Sequence, residues 1–214
     1  MKNSSILQTW MKNENAVTNW IYEHEEEMIE LARYIWEHPE TAYEEKLSSK
    51  CLGEYLEKNG FEVEWGTANI DTAFTAKWGS GRPYIGFLAE YDALAEIGHA
   101  CGHNLYGTAV AGAACALKEE LKEGTIFVYG CPAEEILSGK IFMNNAGVFD
   151  KLDLAVTWHP FDKNRVSNDI WQSIRVKYYT FKGRTAHAAK APEDGRSALD
   201  AAELMNIGVN YLRE

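Results

Sequence analysis

Three short segments of the sequence carry side chains that bind metal ions, and each directly follows an apolar run. They are the loop His99-Ala100-Cys101-Gly102-His103, the pair Glu134-Glu135, and His159. A thiolate, imidazoles and carboxylates are the groups that hold zinc and related divalent ions in proteins. The sequence therefore predicts a metal site assembled from all three segments.

The spacing within these segments adds to the prediction. Cys101 and His103 stand two residues apart around a glycine, which in an extended loop turns both side chains to the same side. A Cys-x-His pattern alone is weak, because it often arises by chance. Glutamate pairs usually lie on a solvated surface, but Glu134-Glu135 comes directly after an apolar strand and a Pro-Ala step. Two carboxylates beside cations can divide roles, one binding metal and the other moving a proton.

The elements that must position these residues follow from the spacing of apolar side chains. Helical spacing predicts helices over 15–37, about 43–56, 104–121 and near 138–146. Short runs rich in β-branched and aromatic residues predict strands at 61–65, 71–78, 84–89, 125–131 and 153–158. Strands alternating with helices indicate an α/β fold, a sheet between helix layers, in which ligand sites form at the carboxyl ends of the strands.

The alternation of short apolar strands with helices ends after His159-Pro160. Residues 170–182 alternate apolar and polar side chains like a half-exposed strand, and 193–213 read as a long helix. One strand and one helix bury each other's apolar faces poorly. We therefore expect a first domain over 1–167 and the beginning of a second over 168–214.

Composition excludes several function classes. The 214 residues have a formal net charge of −11, which offers no general attraction for nucleic acid or anionic membranes. No apolar run has the length of a membrane span or a secretory signal, so a cytoplasmic location is expected. The four cysteines form no Cys-x-x-Cys pair and are expected to be reduced, with Cys51, Cys115 and Cys131 in the core. His24, on an apolar helix stripe, is expected to be a packing residue.

Five motifs occur in one order, and together they resemble a known family. The chain is similar to the aminobenzoyl-glutamate hydrolase B-subunit type, within the dinuclear metal aminoacylase and carboxypeptidase G-type amidohydrolases. The resemblance runs from about His38 to the end and corresponds to the N-terminal half of such a protein. The motifs are Ala89-Glu90-Tyr91-Asp92-Ala93-Leu94, Gly98-His99-Ala100-Cys101-Gly102-His103-Asn104, Tyr129-Gly130-Cys131-Pro132-Ala133-Glu134-Glu135, Thr157-Trp158-His159-Pro160 and Thr185-Ala186-His187-Ala188-Ala189.

The resemblance implies a role for each of these residues. The implied ligands of two divalent ions, zinc or manganese, are Cys101, His103, Glu135 and His159. Glu134 would be the general base, and Asp92 would hold a ligand in place. His187 would lie on the lid domain and polarise the scissile carbonyl in a partner subunit. From the residues alone, a turn residue is the alternative interpretation of Asp92, and an exposed loop histidine is the favoured interpretation of His187.

The resemblance also implies a fold and an activity. The fold would be a zinc-peptidase-like catalytic domain with a central mixed sheet, followed by an α+β lid or dimerisation domain. The activity would be cleavage of the amide of an N-acyl amino acid, p-aminobenzoyl-glutamate first, by a homo-oligomer or a heterodimer with a related subunit. A dipeptidase acting on short or β-alanyl dipeptides is the alternative of the same chemistry. An inactive truncated fragment is the non-enzymatic alternative.

Three departures from the family pattern are visible. The loop from Asp92 to His99 is shorter than in some relatives, and Asn104 stands where related hydrolases often carry Asp. A fifth ligand, another histidine, is expected in the family but has no matching motif here. The chain is thus expected to stop before the rest of the lid and the returning segment of the catalytic domain.

Overall fold

The computed structural model describes residues 16–136, 138–166, 173 and 175–213. The chain divides into two units, the first ending at Asn164 and the second beginning at Arg165. The predicted boundary lies three residues later. The assignment of the units as catalytic and lid domains stays a prediction.

The first unit contains a five-stranded mixed sheet in the order β1-β2-β4-β3-β5. β1 pairs antiparallel with β2 and β2 antiparallel with β4, whereas β3 runs parallel to both β4 and β5. The strands are β1 (Glu62–Trp65), β2 (Phe74–Ser80), β3 (Tyr84–Ala89), β4 (Gly124–Gly130) and β5 (Leu154–Val156). The predicted α/β fold with a mixed sheet is confirmed.

Five helices accompany this sheet: α1 (Ala16–Glu23), α2 (Glu25–Glu37), α3 (Lys46–Lys58), α4 (His103–Leu117) and α5 (Gly139–Asn145). The single helix predicted over 15–37 is wrong in one detail, since it is interrupted at His24. The His24 ring stacks on Trp20, and its Nδ1 also lies 2.8 Å from the Trp20 carbonyl oxygen. His24 is thus the packing residue that its position predicted.

α3 begins later than its apolar pattern suggested. The Glu40 carboxylate accepts hydrogen bonds of 2.9 Å from the backbone N–H groups of Leu47 and Ser48. Tyr43 has a φ of 65°, which a continuous helix does not allow. A side chain from before the helix therefore satisfies donors that have no intrahelical partner, and the helix starts at Lys46.

Both faces of the sheet are buried, as alternation along β4 shows. Ile126 and Val128 pack in one core cluster, and Phe127 and Tyr129 pack in the other. α4 contributes buried residues to the first cluster, and Met143 of α5 is buried in the second. Because successive strand residues point to opposite faces, a continuous apolar strand of this kind requires a layer on each side. The sheet lies between these layers and has one buried strand, β4, at its centre.

The second unit contains α6 (Ala198–Asn210), flanked by short 3-10 turns at Pro192–Asp194 and Tyr211–Arg213. The long helix predicted over 193–213 is therefore shorter, because Ser197 Oγ accepts a hydrogen bond of 3.0 Å from Asp200 N and caps α6 there. Of the predicted strand 170–182, residues 170–172 and 174 lie outside the described residues. Residues 175–182 are described and form no strand, so that part of the prediction is wrong. Their backbone pairs with no second described strand, and alternation alone does not make a strand.

Among the helices that the structure describes, none combines the length and the apolar character that crossing a bilayer requires.

Candidate metal centre

The polar segments singled out in the sequence meet at one edge of the sheet. Glu90 and Asp92 follow β3, Glu134 and Glu135 follow β4, and His159 follows β5. These three strands are parallel neighbours, so their carboxyl ends lie side by side. The loop between β3 and α4 adds Cys101, and His103 is the first residue of α4.

His103 is fully buried and is held in one orientation by Asp92. Its Nδ1 lies 2.9 Å from the Asp92 backbone oxygen and 3.0 Å from Asp92 Oδ1. Both partners are acceptors, so Nδ1 carries the proton and Nε2 keeps a free lone pair. The other carboxylate oxygen, Asp92 Oδ2, accepts a 2.8 Å hydrogen bond from the backbone N–H of Glu135. One aspartate thus connects the β3, β4 and α4 segments.

Cys101 and His159 approach each other from two different loops. Cys101 Sγ lies 3.4 Å from His159 Nε2. His159 Nδ1 lies 2.8 Å from the Pro160 carbonyl oxygen, which can only accept, so Nε2 is the ring nitrogen available to a cation. Gly102, at a φ of 82°, makes the contact possible, because a Cβ there would lie 2.7 Å from Pro160 Cγ. Any other residue at 102 would require Pro160 or the loop around Gly102 to shift.

Glu134 and Glu90 also approach His103. Glu134 Oε2 is 3.8 Å and Glu90 Oε2 is 3.3 Å from His103 Nε2. The Glu134 side chain is 29% exposed, whereas that of Glu90 is 7% exposed. The remaining oxygen of Glu90, Oε1, forms an ion pair with Lys140 Nζ at the start of α5. Glu134 is thus the carboxylate of this pair that solvent can reach.

A buried carboxyl group behind the site holds the Glu134-Glu135 loop. Glu45 is completely buried and accepts hydrogen bonds from Ala133 N at 2.8 Å and from the Thr72 hydroxyl at 3.0 Å. Ala133 adopts a φ of 56°, which is uncommon for a residue with a side chain. The Ala133 hydrogen bond fixes this turn directly before Glu134. Burial raises the pKa of the Glu45 carboxyl group. The hydrogen bonds that it accepts lower the pKa, but by less than burial raises it.

The electrostatics of the cluster favour positive charge. Burial and the nearby carboxylates of Glu135, Glu134 and Glu90 raise the pKa of the Cys101 thiol to about 12. Burial disfavours a charged His103, but the hydrogen bond and charge of Asp92, together with Glu90, outweigh it and raise the pKa of His103. Each group would shift in the opposite direction beside a cation, which stabilises a thiolate and a neutral imidazole.

The donor atoms fit a divalent cation. Cys101, His103 and His159 each offer one atom, and these atoms lie within 4.8 Å of one another. His103 Nε2 and Glu135 Oε1 are buried and have no hydrogen-bond partner among the described residues. Such atoms are costly to bury unless something else pairs with them. A thiolate, two imidazoles and a carboxylate are ligands that suit zinc and, less selectively, its first-row neighbours.

The structure thus brings together six of the seven residues singled out in the sequence. They are Asp92, Cys101, His103, Glu134, Glu135 and His159. His187, the seventh, belongs to the second unit and has an exposed side chain. The roles of all seven stay predictions.

Two charged residues of this cluster were missed by sequence reasoning. Glu90 stands at the carboxyl end of β3, where polar residues were expected to converge, but only Asp92 was singled out from that motif. Lys140 carried no signal, because it lies 50 residues from Glu90 in the chain. The cysteine predictions hold, since all four are free thiols and Cys115 and Cys131 are buried, with Cys51 partly so.

Comparison with known proteins gives close relatives. No protein-family model matches the chain. It is 45% identical, over 86% of its length, to the B-subunit of p-aminobenzoyl-glutamate hydrolase from Escherichia coli, of which it covers 43%. It is 36% identical, over 91% of its length, to the human Xaa-Arg dipeptidase, of which it covers 49%. The chain spans about half the length of the curated relatives that it matches.

Solved structures agree with these relatives. A Bacillus subtilis protein described as a dinuclear metal binding peptidase from the M20 family is 26% identical, with a TM-score of 0.53 over 60% of this chain and 41% of that one. An aminobenzoyl-glutamate utilization protein from Klebsiella pneumoniae, 20% identical, shares the fold, with a TM-score of 0.58 over 88% of this chain and 58% of that one. The chain therefore belongs to the family of dinuclear metal amidohydrolases and peptidases that includes the p-aminobenzoyl-glutamate hydrolase B-subunit.

Proposed function

We propose that this chain carries the metal-binding part of an amidohydrolase that cleaves the amide bond of an N-acyl amino acid. The observation that carries the proposal is the cluster around His103. A buried imidazole is held by Asp92, and Cys101, His159 and the carboxylate of Glu134 lie close to it. This is the donor set, with an adjacent proton acceptor, that metal-dependent amide hydrolysis needs.

The residues that would hold two divalent ions, zinc or manganese, are Cys101, His103, Glu135 and His159. Hydrogen bonds orient three of them. Asp92 fixes the His103 ring and the Glu135 backbone, and the Pro160 carbonyl fixes the His159 ring. Divalent ions bound there would supply Lewis acidity towards an amide carbonyl and a water molecule.

Glu134 would be the general base. Its carboxylate is adjacent to the cluster and partly exposed, so it can take a proton from water and then pass it to the leaving amine. Its neighbour Glu135 turns inward instead, with one carboxylate oxygen buried. His187 would polarise the scissile carbonyl from the lid of a partner subunit.

The substrate is assigned from the relatives. The 45% identity to the p-aminobenzoyl-glutamate hydrolase B-subunit supports p-aminobenzoyl-glutamate, which would yield p-aminobenzoate and glutamate. A dipeptidase is the second candidate, supported by 36% identity to the human Xaa-Arg dipeptidase over 91% of the chain. The two differ in what flanks the amide, an aroyl group or an amino acid.

The assembly and the location complete the proposal. The Escherichia coli relative is described as one subunit of a hydrolase, which supports a partner, either a related subunit or a second copy. Four free cysteines support a reducing compartment, the cytoplasm.

Metal content and hydrolysis test the proposal together. Protein purified without chelator is analysed for bound metal and assayed on p-aminobenzoyl-glutamate and on Xaa-Arg dipeptides, alone and with its partner subunit. We expect bound zinc or manganese and faster release of p-aminobenzoate. Metal content that is unchanged in the Cys101→Ala, His103→Ala double variant would disprove the metal centre. Faster cleavage of the dipeptides would favour the second candidate.

A further inference from the structure

A second group of metal-competent side chains shares His103 with the proposed centre. Glu90, His103 and Glu134 each offer one atom, and these atoms also lie within 4.8 Å of one another. Because Asp92 occupies Nδ1, His103 has one lone pair to give, on Nε2. The group of Cys101 and His159 and the group of Glu90 and Glu134 therefore compete for one nitrogen.

The side chains of Glu90, His103 and Glu134 could bind a divalent ion in place of the proposed centre. Glu90 Oε2 and His103 Nε2 are both buried and have no hydrogen-bond partner among the described residues. Two carboxylates and an imidazole suit a divalent ion. An ion held there would take the carboxylate of Glu134, which the proposed function needs as a proton acceptor. Occupation of the second group would thus be unproductive.

Lys140 stands where it can prevent this outcome. Its Nζ forms an ion pair with Glu90 Oε1, and its side chain is 31% exposed. Burial disfavours the charged amine, but the charge and hydrogen bond of Glu90, together with Cys131 and Glu134, outweigh burial and raise the pKa of Lys140, so the amine stays protonated. A fixed positive charge within contact distance of Glu90 repels a second cation from the same carboxylate.

We propose that Lys140 is a positioning residue that, through its ion pair with Glu90, withholds Glu90 from metal and directs the cation to Cys101 and His159. The inference rests on the proposed function, because it assumes that Cys101 is a ligand. It names a residue that determines which ligands the ion takes, and it gives the partly exposed Lys140 a role beside the cluster.

The absorption spectrum of bound cobalt shows directly whether Cys101 is a ligand of the ion. Co²⁺ bound to a thiolate gives a charge-transfer absorption band that Co²⁺ bound only to oxygen and nitrogen lacks. In the wild-type protein we expect bound cobalt with this band. In Lys140→Met we expect cobalt still to bind but most of the band to be lost. In the Lys140→Met, Glu90→Gln double variant we expect the band to return, since the competing carboxylate is gone.

Matched variants separate this role from a purely structural one. Lys50→Met removes an exposed ion pair to Glu54 and should leave the band unchanged. Lys140→Arg keeps the charge and should keep the band. Should Lys140→Met not fold, Glu90→Gln still tests the premise that Glu90 is not a ligand. It should retain both the band and the cobalt content, and loss of cobalt would contradict the inference.

Three results would overturn the inference. They are a full band in Lys140→Met, a band lost equally in the double variant, and cobalt lost in Glu90→Gln. A wild-type protein that binds cobalt without the band would instead refute Cys101 as a ligand, and the proposed metal centre with it. Failure of the inference and failure of the proposed function are therefore distinguishable.

Discussion

Asp92 holds His103 through two contacts to one ring nitrogen: its backbone oxygen lies 2.9 Å and its Oδ1 lies 3.0 Å from His103 Nδ1. The same carboxylate, through Oδ2, accepts the backbone N–H of Glu135. A residue that is not itself a proposed ligand therefore sets the orientation of one ligand and the backbone of another. This relationship explains how proposed ligands from separate segments keep one geometry.

The first prediction concerns this aspartate. Asp92→Ala should lower metal affinity by about 10- to 100-fold, because the His103 ring loses the acceptor that fixes its orientation. A competition titration with a chromogenic chelator measures the affinity. Asp153→Ala is the control, since Asp153 is paired with the exposed Arg82 away from the cluster. Equal affinities in the wild type and Asp92→Ala would show that His103 is oriented by its other contacts.

The second prediction separates the two adjacent glutamates. Glu134→Gln should lower the turnover of p-aminobenzoyl-glutamate by about 10²- to 10⁴-fold with metal content nearly unchanged, because an amide cannot accept a proton at neutral pH. Glu135→Gln should lower metal content as well. Elemental analysis and steady-state kinetics on both variants provide the comparison. Most of the turnover surviving in Glu134→Gln would rule out its assignment as the base.

The third prediction tests the close approach of two loops. Gly102→Ala should destabilise the fold by about 1–3 kcal/mol, because a side chain is strained at positive φ and meets Pro160. It should also weaken metal binding, since Cys101 and His159 would move apart. Gly66→Ala is the matched control, with a φ of 75° and nothing within 4 Å of the added Cβ. Chemical denaturation and the chelator titration measure both effects.

The two glycine variants should differ in one respect. Both should lose stability from backbone strain, but Gly66→Ala should bind metal like the wild type. Equal metal affinity in the two variants would show that the contact between Gly102 and Pro160 does not position the ligands.

The convergence of the site residues could be predicted because the ends of strands can be recognised from the sequence. The apolar runs that became β3, β4 and β5 gave the points at which polar residues emerge, and parallel pairing then brings those points together. Contacts between side chains that are far apart in the chain cannot be recognised from a local sequence pattern. Lys140 and Glu90, which form an ion pair, are separated by 50 positions in the chain, and Glu45 and Ala133, which share a hydrogen bond, by 88. No local sequence pattern marks either contact.

The errors in the fold have local causes. The break at His24 arises where its ring and its own backbone N–H both approach the Trp20 carbonyl, which an apolar stripe does not reveal. The predicted strand over 170–182 rested on alternation alone. Alternation describes a half-buried surface, but a strand also needs a partner for its backbone groups, and the described residues 175–182 have none in a strand.

The last prediction concerns pH and Glu45. The pKa of its buried carboxyl group is raised above the unfolded value of 4.5, so the folded protein holds this proton more tightly than the unfolded chain does. The stabilisation that the protonated Glu45 carboxyl group gives to the folded state is therefore fully present below pH 4.5. It is lost as the pH rises through the raised pKa of Glu45 in the folded state. Glu45→Gln, which cannot ionise, should be free of this loss.

The measurement is the free energy of unfolding of the wild type and Glu45→Gln as a function of pH. The difference between them should shift in favour of Glu45→Gln as the pH rises, because the glutamine still offers an oxygen to Ala133 N but carries no buried charge. Glu54→Gln, on the exposed face of α3, is the control and should show no such trend. A difference that stays constant across pH would mean that Glu45 ionises as easily in the fold as in the unfolded chain, because its hydrogen-bond donors offset burial.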